Sequence, residues 1–296
     1  MEKKFVVVGL GEMLWDHIGE EYKLGGAPAN FAYHAMQLGG ESHVVSAVGD
    51  DHLGKKLTAD LSQTNMILDT QVVDFPTGVV EVTLADGQPS YEIKLDAAWD
   101  NMQFTPALEE LAKRTDLVCF GTLAQRNSVS RDTIQKFLDT MPDTETSLKV
   151  FDVNLRQSFY SKALIEETLR KSNVLKINND ELVMFNNYFG YEGLQLEENF
   201  ERIIRDFNLK YLIVTFGEYG SYVARVGEVH FERTPKVDLV SAVGAGDSFT
   251  GSFCMAVMRG LDMSVAHKIA VDVSAYVCTQ PGAMPEIPET LKSRLK

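Results

Sequence analysis

Residues 243–247 read Val-Gly-Ala-Gly-Asp and run straight into an apolar stretch. Phe249, Phe253, Ala256 and Val257 fall at i, i+4, i+7 and i+8, one face of a helix. Gly260 stands where a C-terminal cap would be. A glycine-rich turn that opens a helix leaves backbone N–H groups unblocked at the positive end of the helix dipole, which suits an anion such as phosphate. A carboxylate beside a phosphate is unfavourable unless it has work to do. Asp247 therefore reads as a general base, taking the proton from a hydroxyl that attacks phosphorus. A capping aspartate in a tight turn has the same five residues, so the rest of the chain must decide.

Other polar residues collect just past apolar, strand-like runs, where an open parallel sheet binds its ligands. Asp16 follows the first run, and Gly25, Gly26 and Asn30 precede the next helix. These offer hydrogen bonds but little cationic charge, which suits the hydroxyls of a neutral sugar. Asn154 and Arg156 follow the run ending at residue 153. Asn178, Glu181, Thr215, Gly217, Gly246 and Asp247 suit a nucleotide triphosphate with Mg²⁺, a cation that takes oxygen ligands and keeps most of its waters.

Positioning these residues requires an alternating α/β chain. Strands are expected at 5–10, 42–48, 117–121, 148–153, 174–177 and 211–216. Helices are expected at 25–38, 49–64, 131–140, 161–171, 180–189, 197–207 and 265–277, with a hairpin about Gly227. Residues 12–24 and 71–100 break the rhythm. They read as hairpins, the second turning at residues 85–88, and together as a small sheet over a cleft. The expected division is a main α/β body of residues 1–11, 25–70 and 101–296, with a lid of residues 12–24 and 71–100. Val80, Val82 and Ile93 read as exposed lid residues, which predicts a homodimer formed lid to lid.

Composition narrows the partners. With 28 basic and 42 acidic residues the formal charge is −14, against nucleic acid or an anionic membrane surface. Cys119, Cys254 and Cys278 have apolar neighbours and no CxxC spacing, so they read as free thiols in a reducing compartment. No run is long and apolar enough to span a membrane, and the N-terminal run is too short for a signal peptide. The expectation is a cytoplasmic protein.

Four motifs in order make the resemblance specific. Gly25-Gly-Ala-Pro-Ala-Asn30, Asn178-Asn-Asp-Glu181, Thr215-Phe-Gly217-Glu-Tyr-Gly220 and Gly244-Ala-Gly-Asp247 resemble the signatures of the ribokinase-like (PfkB) carbohydrate kinases, over the whole chain. The resemblance implies a Rossmann-like, three-layer α/β/α sandwich with a small β-sheet lid. It implies Asp247 as catalytic base, with the amides of Gly244, Ala245 and Gly246 forming an anion hole. It implies Asp16, Gly25, Gly26 and Asn30 as sugar ligands. Asn178, Thr215, Gly217, Gly220 and Gly282 would serve ATP, and Glu181 would serve Mg²⁺ through water.

Within the family, residues 26–32, 98–100, 123–126 and 152–156 most resemble fructokinases. That adds Trp99 at the lid, with Arg126 and Arg156 toward the sugar or its product phosphate. The implied activity is transfer of the γ-phosphoryl group of MgATP to a primary hydroxyl of a free sugar, D-fructose first. Another sugar, a keto-sugar acid, a sugar phosphate or a nucleoside stands as the alternative acceptor. One position departs from the family. The family usually has Asp-Thr before its Gly-Ala-Gly-Asp motif, and that aspartate helps hold an activating monovalent cation, potassium; here Ser241 and Ala242 stand there. Asp238 lies three residues earlier; serine offers a neutral oxygen in place of a carboxylate, which leaves the backbone carbonyls of residues 280–283 as contributors.

Two further classes fit less well. A dinucleotide-binding oxidoreductase would need a third glycine at residue 14 after Gly9 and Gly11, and that residue is Leu14. A sensor that kept the fold without the chemistry would not need Asp247, Asn178 and Glu181 together.

Overall fold

The computed structural model describes residues 4–85 and 88–295, and side chains outside 82–91. The first half of the chain runs β1 (Val6–Leu10), β2 (Leu14–Ile18), β3 (Glu21–Gly25), α1 (Ala27–Gln37), β4 (Glu41–Gly49), α2 (His52–Leu61), β5 (Ile67–Val73), β6 (Gly78–Ala85) and β7 (Gln88–Ile93). Next come α3 (Pro106–Arg114), β8 (Leu117–Phe120), α4 (Ser128–Thr140), β9 (Leu148–Asp152), α5 (Lys162–Leu169), β10 (Val174–Asn178) and α6 (Asn179–Phe189). The chain closes with α7 (Leu196–Asp206), β11 (Tyr211–Thr215), β12 (Ser221–Arg225), β13 (Glu228–Glu232), α8 (Ala245–Met258), α9 (Met263–Cys278) and α10 (Glu289–Lys292).

Nine strands form one sheet in the order β13-β12-β11-β10-β9-β8-β1-β4-β5. Only the β11–β12 and β12–β13 pairs are antiparallel. The inner strands are apolar on both sides, and alternate residues enter two cores. Val8, Leu10, Phe120, Phe151 and Ile177 meet the α3–α7 side, whereas Val7, Cys119, Val150 and Ile213 meet α1, α8 and α9. That is the three-layer sandwich expected. The strand order reverses between β1 and β8, so the crevice for ligands opens at their carboxyl ends.

A second, smaller sheet has the order β3-β2-β6-β7 and is the one expected to act as a lid. The turn expected at 85–88 includes Asp86 and Gly87, which lie outside the described residues; β6 and β7 flank it. The boundary expected at residue 70 falls inside β5, which pairs with β4 through residue 73 and so belongs to the large sheet. Charged and polar residues in Ile67-Leu-Asp-Thr-Gln-Val-Val obscured this edge strand, because an edge needs only one buried face. α3 was also missed. Thr105 caps it by accepting from Leu108 N at 3.2 Å, with Pro106 at its first position.

The lid corrects one more expectation. Val80 and Ile93 are each only 6% exposed and face the cleft beneath the lid. They cannot join two lids. The side chain of Val82 lies outside the described residues.

Candidate active site

Gly244 is the N-cap of α8, with φ 79°. A Cβ there would lie 2.6 Å from the Ala283 carbonyl oxygen, so both conformation and space demand glycine. Asp247 stands in the first turn of α8 and accepts a 2.7 Å hydrogen bond from Asn30 Nδ2 in α1. Of the three expected anion-hole amides, that of Ala245 is turned to the Ala242 carbonyl at 3.3 Å.

Two cavities meet at this turn. One, of about 840 Å³, lies under the lid and holds Asp16, Gly25, Gly26, Asn30, Arg156, Gly244 and Asp247. The other, of about 570 Å³, is lined by Thr215, Gly217, Gly220, Lys236, Ala245 and Phe249. Ala242 and Gly246 line both. Asp247 thus faces the first cavity, and the N-terminal end of α8 lies between the two.

The paired glycines have separate jobs. A Cβ on Gly25 would come 2.7 Å from Asp16 Oδ2, so Gly25 clears the room that carboxylate occupies. Gly26 has φ 118°, and a Cβ there would meet the Glu12 carbonyl oxygen at 2.5 Å. Burial raises the pKa of Asp16, with the Arg156 guanidinium opposing. Burial also raises that of Asp247, while the Asn30 bond, Lys176 and Arg156 pull it back.

Asn178 and Glu181 form a capping box on α6. Asn178 Oδ1 accepts from the amides of Asp180 and Glu181, each at 2.9 Å. Glu181 Oε2 accepts from Asn178 N and Oε1 from Leu155 N, each at 2.8 Å. Oε2 thus closes the cap of α6 at the end of β10, and Oε1 holds the loop after β9. Among the described residues no group of three or more His, Cys, Asp or Glu is arranged as a metal site. A magnesium ion here would arrive with phosphates and waters, and Glu181 would reach it only through those waters. Gly282, at φ 76°, lines neither cavity.

Arg126 and Trp99 depart from the substrate role expected of them. Arg126 Nε and one Nη atom bind Asp100 at 2.8 and 2.7 Å, and the same Nη donates to the Lys94 carbonyl at 2.6 Å. Its guanidinium lies 4.1 Å from the Trp99 ring centroid and 4.7 Å from that of Phe159. Neither residue lines the sugar-side cavity. Arg126 instead pins the strand returning from the lid.

Sequence reasoning missed three side chains. Glu12 and Lys176 line the sugar-side cavity, and Lys176 Nζ pairs with buried Asp152 Oδ1 at 3.1 Å. The signal for Lys176 was available: a lone lysine in the run Val-Leu-Lys-Ile must bring a partner into the core.

The family model for pfkB family carbohydrate kinases matches residues 17–290, and the chain belongs to that family. It is therefore a phosphotransferase of the carbohydrate kinase class. It is 28% identical to an ATP-dependent 6-phosphofructokinase of Thermoanaerobacterium thermosaccharolyticum, over 99% of this chain and 94% of the relative. It is 27% identical to fructokinase-1 of Oryza sativa subsp. japonica, over 96% of this chain and 94% of the relative. A double-mutant fructokinase of Vibrio cholerae O395, solved with fructose, ADP and potassium ion, superposes with TM-score 0.79 at 25% identity, covering all of both chains.

Proposed function

We propose that this kinase transfers the γ-phosphoryl group of MgATP to a primary hydroxyl of a free sugar, with D-fructose as the first candidate. The observation that carries the reading is the junction at Gly246: Asp247 faces an acceptor cavity on one side, and a nucleotide-sized cavity opens on the other. ATP would lie along Thr215, Gly217 and Gly220. The sugar would lie between Asp16 and Asp247 under the lid, whose closure excludes water. Asp247 accepts the hydroxyl proton as the oxygen attacks the γ-phosphorus, the bond from that phosphorus to the bridging oxygen breaks to release ADP, and the amides at the start of α8 take up charge on the transferring group. Magnesium, when bound, would neutralise phosphate charge; this chain's residues orient the two substrates.

Fructose is favoured by the fructokinase relatives. Arg156, in the acceptor cavity, favours a second reading in which the acceptor carries a phosphate or carboxylate. An ATP-consumption assay on D-fructose, fructose 6-phosphate, a keto-sugar acid and a nucleoside, with and without potassium, separates the readings. No turnover of any sugar would overturn the proposal. Potassium dependence would have to rely on carbonyls and Asp238, since Ser241 Oγ accepts from Val243 N at 3.2 Å and carries no charge. Pairing through the lid would use half-exposed Ile18 and Tyr22, and a monomer by light scattering removes it. Free thiols at Cys119, Cys254 and Cys278 support the cytoplasm.

A further inference from the structure

β1 ends at Leu10, where the strand order reverses, and Glu12 follows two residues later. A ligand crevice opens at such a point. Glu12 is 4% exposed, and its Oε2 has no hydrogen-bond partner among the described residues. It nevertheless lines the acceptor cavity, together with a narrow recess behind it shared with Asp152 and Asp247. Gly26, packed on the Glu12 carbonyl, sets the backbone. Leaving a buried carboxyl oxygen unpaired is unfavourable. Oε2 itself lies just beneath the cavity wall, and a turn of the Glu12 side chain would bring it to an oxygen that enters the cavity.

We propose that Glu12 is a substrate-contacting residue whose free Oε2, carrying a proton, donates a hydrogen bond to an oxygen of the acceptor sugar. The inference rests on the kinase reading above. The surroundings select the protonated form. Asp247 from α8, Asp152 from the end of β9 and Asp16 from β2 already make the site acidic. Lys176 from β10 is engaged with Asp152, and Arg156 stands across the cavity. Cys119 of β8 lines the recess. An ionised Glu12 would add another negative charge where an anionic phosphoryl group must arrive. Burial pushes the Glu12 carboxyl up to about 7, with Arg156 opposing and Asp247 and Asp152 adding to the rise. The donor form therefore persists to neutrality and is lost above it.

The test is steady-state kinetics of the wild type, Glu12→Gln and Glu12→Met, on the sugar the wild type uses best, from roughly pH 5.5 to 9. For the wild type, the acceptor KM is expected to rise as pH passes through neutrality. Glu12→Gln keeps a donor that does not titrate, so its acceptor KM should stay near the low-pH wild-type value throughout. Glu12→Met should raise the acceptor KM about 10-fold or more at acid and neutral pH with the ATP KM unchanged. A wild-type acceptor KM in Glu12→Met, or a wild-type pH profile in Glu12→Gln, would overturn the inference while leaving the kinase reading intact. If Glu12→Met does not fold, the pH profile of the near-isosteric Gln variant decides alone. A wild type that phosphorylates no sugar sinks both readings.

Discussion

Asn30 Nδ2 lies 2.7 Å from Asp247 Oδ2, joining the two glycine-rich motifs across 217 residues of chain. The bond aims the carboxylate and stabilises its charged form. It also bears on the part expected of Asn30, which lines the cavity beside Asp247 yet already spends one donor on that carboxylate.

Replacing Asp247 with Asn removes the proton acceptor and leaves the shape. We expect kcat to fall by about 10²–10⁴ with ATP affinity within a few-fold of wild type. Single-turnover kinetics with nucleotide titration measures both. Near-full activity would remove the base assignment.

Asn30→Ala deletes the bond that lowers the Asp247 pKa against burial. Activity needs the carboxylate, so it is lost as pH falls through that pKa. The acid limb of kcat/KM should therefore move to higher pH in the variant. An unmoved limb would mean that the bond does not tune the base.

Gly25→Ala adds one methyl group 2.7 Å from Asp16 Oδ2. Asp16 must shift, and we expect the sugar KM to rise about 10-fold or more while the ATP KM stays put. Equal changes in both constants would point to a general distortion instead.

Arg126→Ala strands the buried Asp100 carboxylate and removes the cation stacked on Trp99. Breaking one side of a buried pair costs roughly 3–5 kcal/mol. Urea unfolding should show that loss, with Asp100→Asn in the same chain recovering part of it. A normal unfolding midpoint with a raised sugar KM would return Arg126 to the substrate.

The Glu12 carboxyl, held up to about 7 against an ordinary 4.5, favours the folded state only while protonated. Its benefit is complete below pH 4.5 and lost as pH rises through 7. Glu12→Gln should thus be more stable than wild type above neutrality, by up to about 3 kcal/mol, with the gap closing in acid. A constant gap in denaturant melts across pH would place the effect in packing.

What the sequence determined by itself is local. Continuous apolar runs announced the parallel strands, glycine before a helix-spaced run announced the turn at 244, and the polar residues after the strands named Asp16, Asn30 and Asp247. These signals depend on neighbours within a few residues, where side-chain period and backbone freedom are already decided. The tertiary structure alone decided which distant groups meet. It turned Val80 and Ile93 inward, because alternation along a strand separates two faces without saying which one meets the body. It gave Arg126 to Asp100, Glu181 to the amides of Leu155 and Asn178, and Lys176 to Asp152. It also left Glu12 near the switch point with a buried oxygen that has no partner among the described residues. A buried charge takes its partner from whatever the fold brings within a few ångströms, and that proximity is set by strand order and crossovers, not by spacing along the chain.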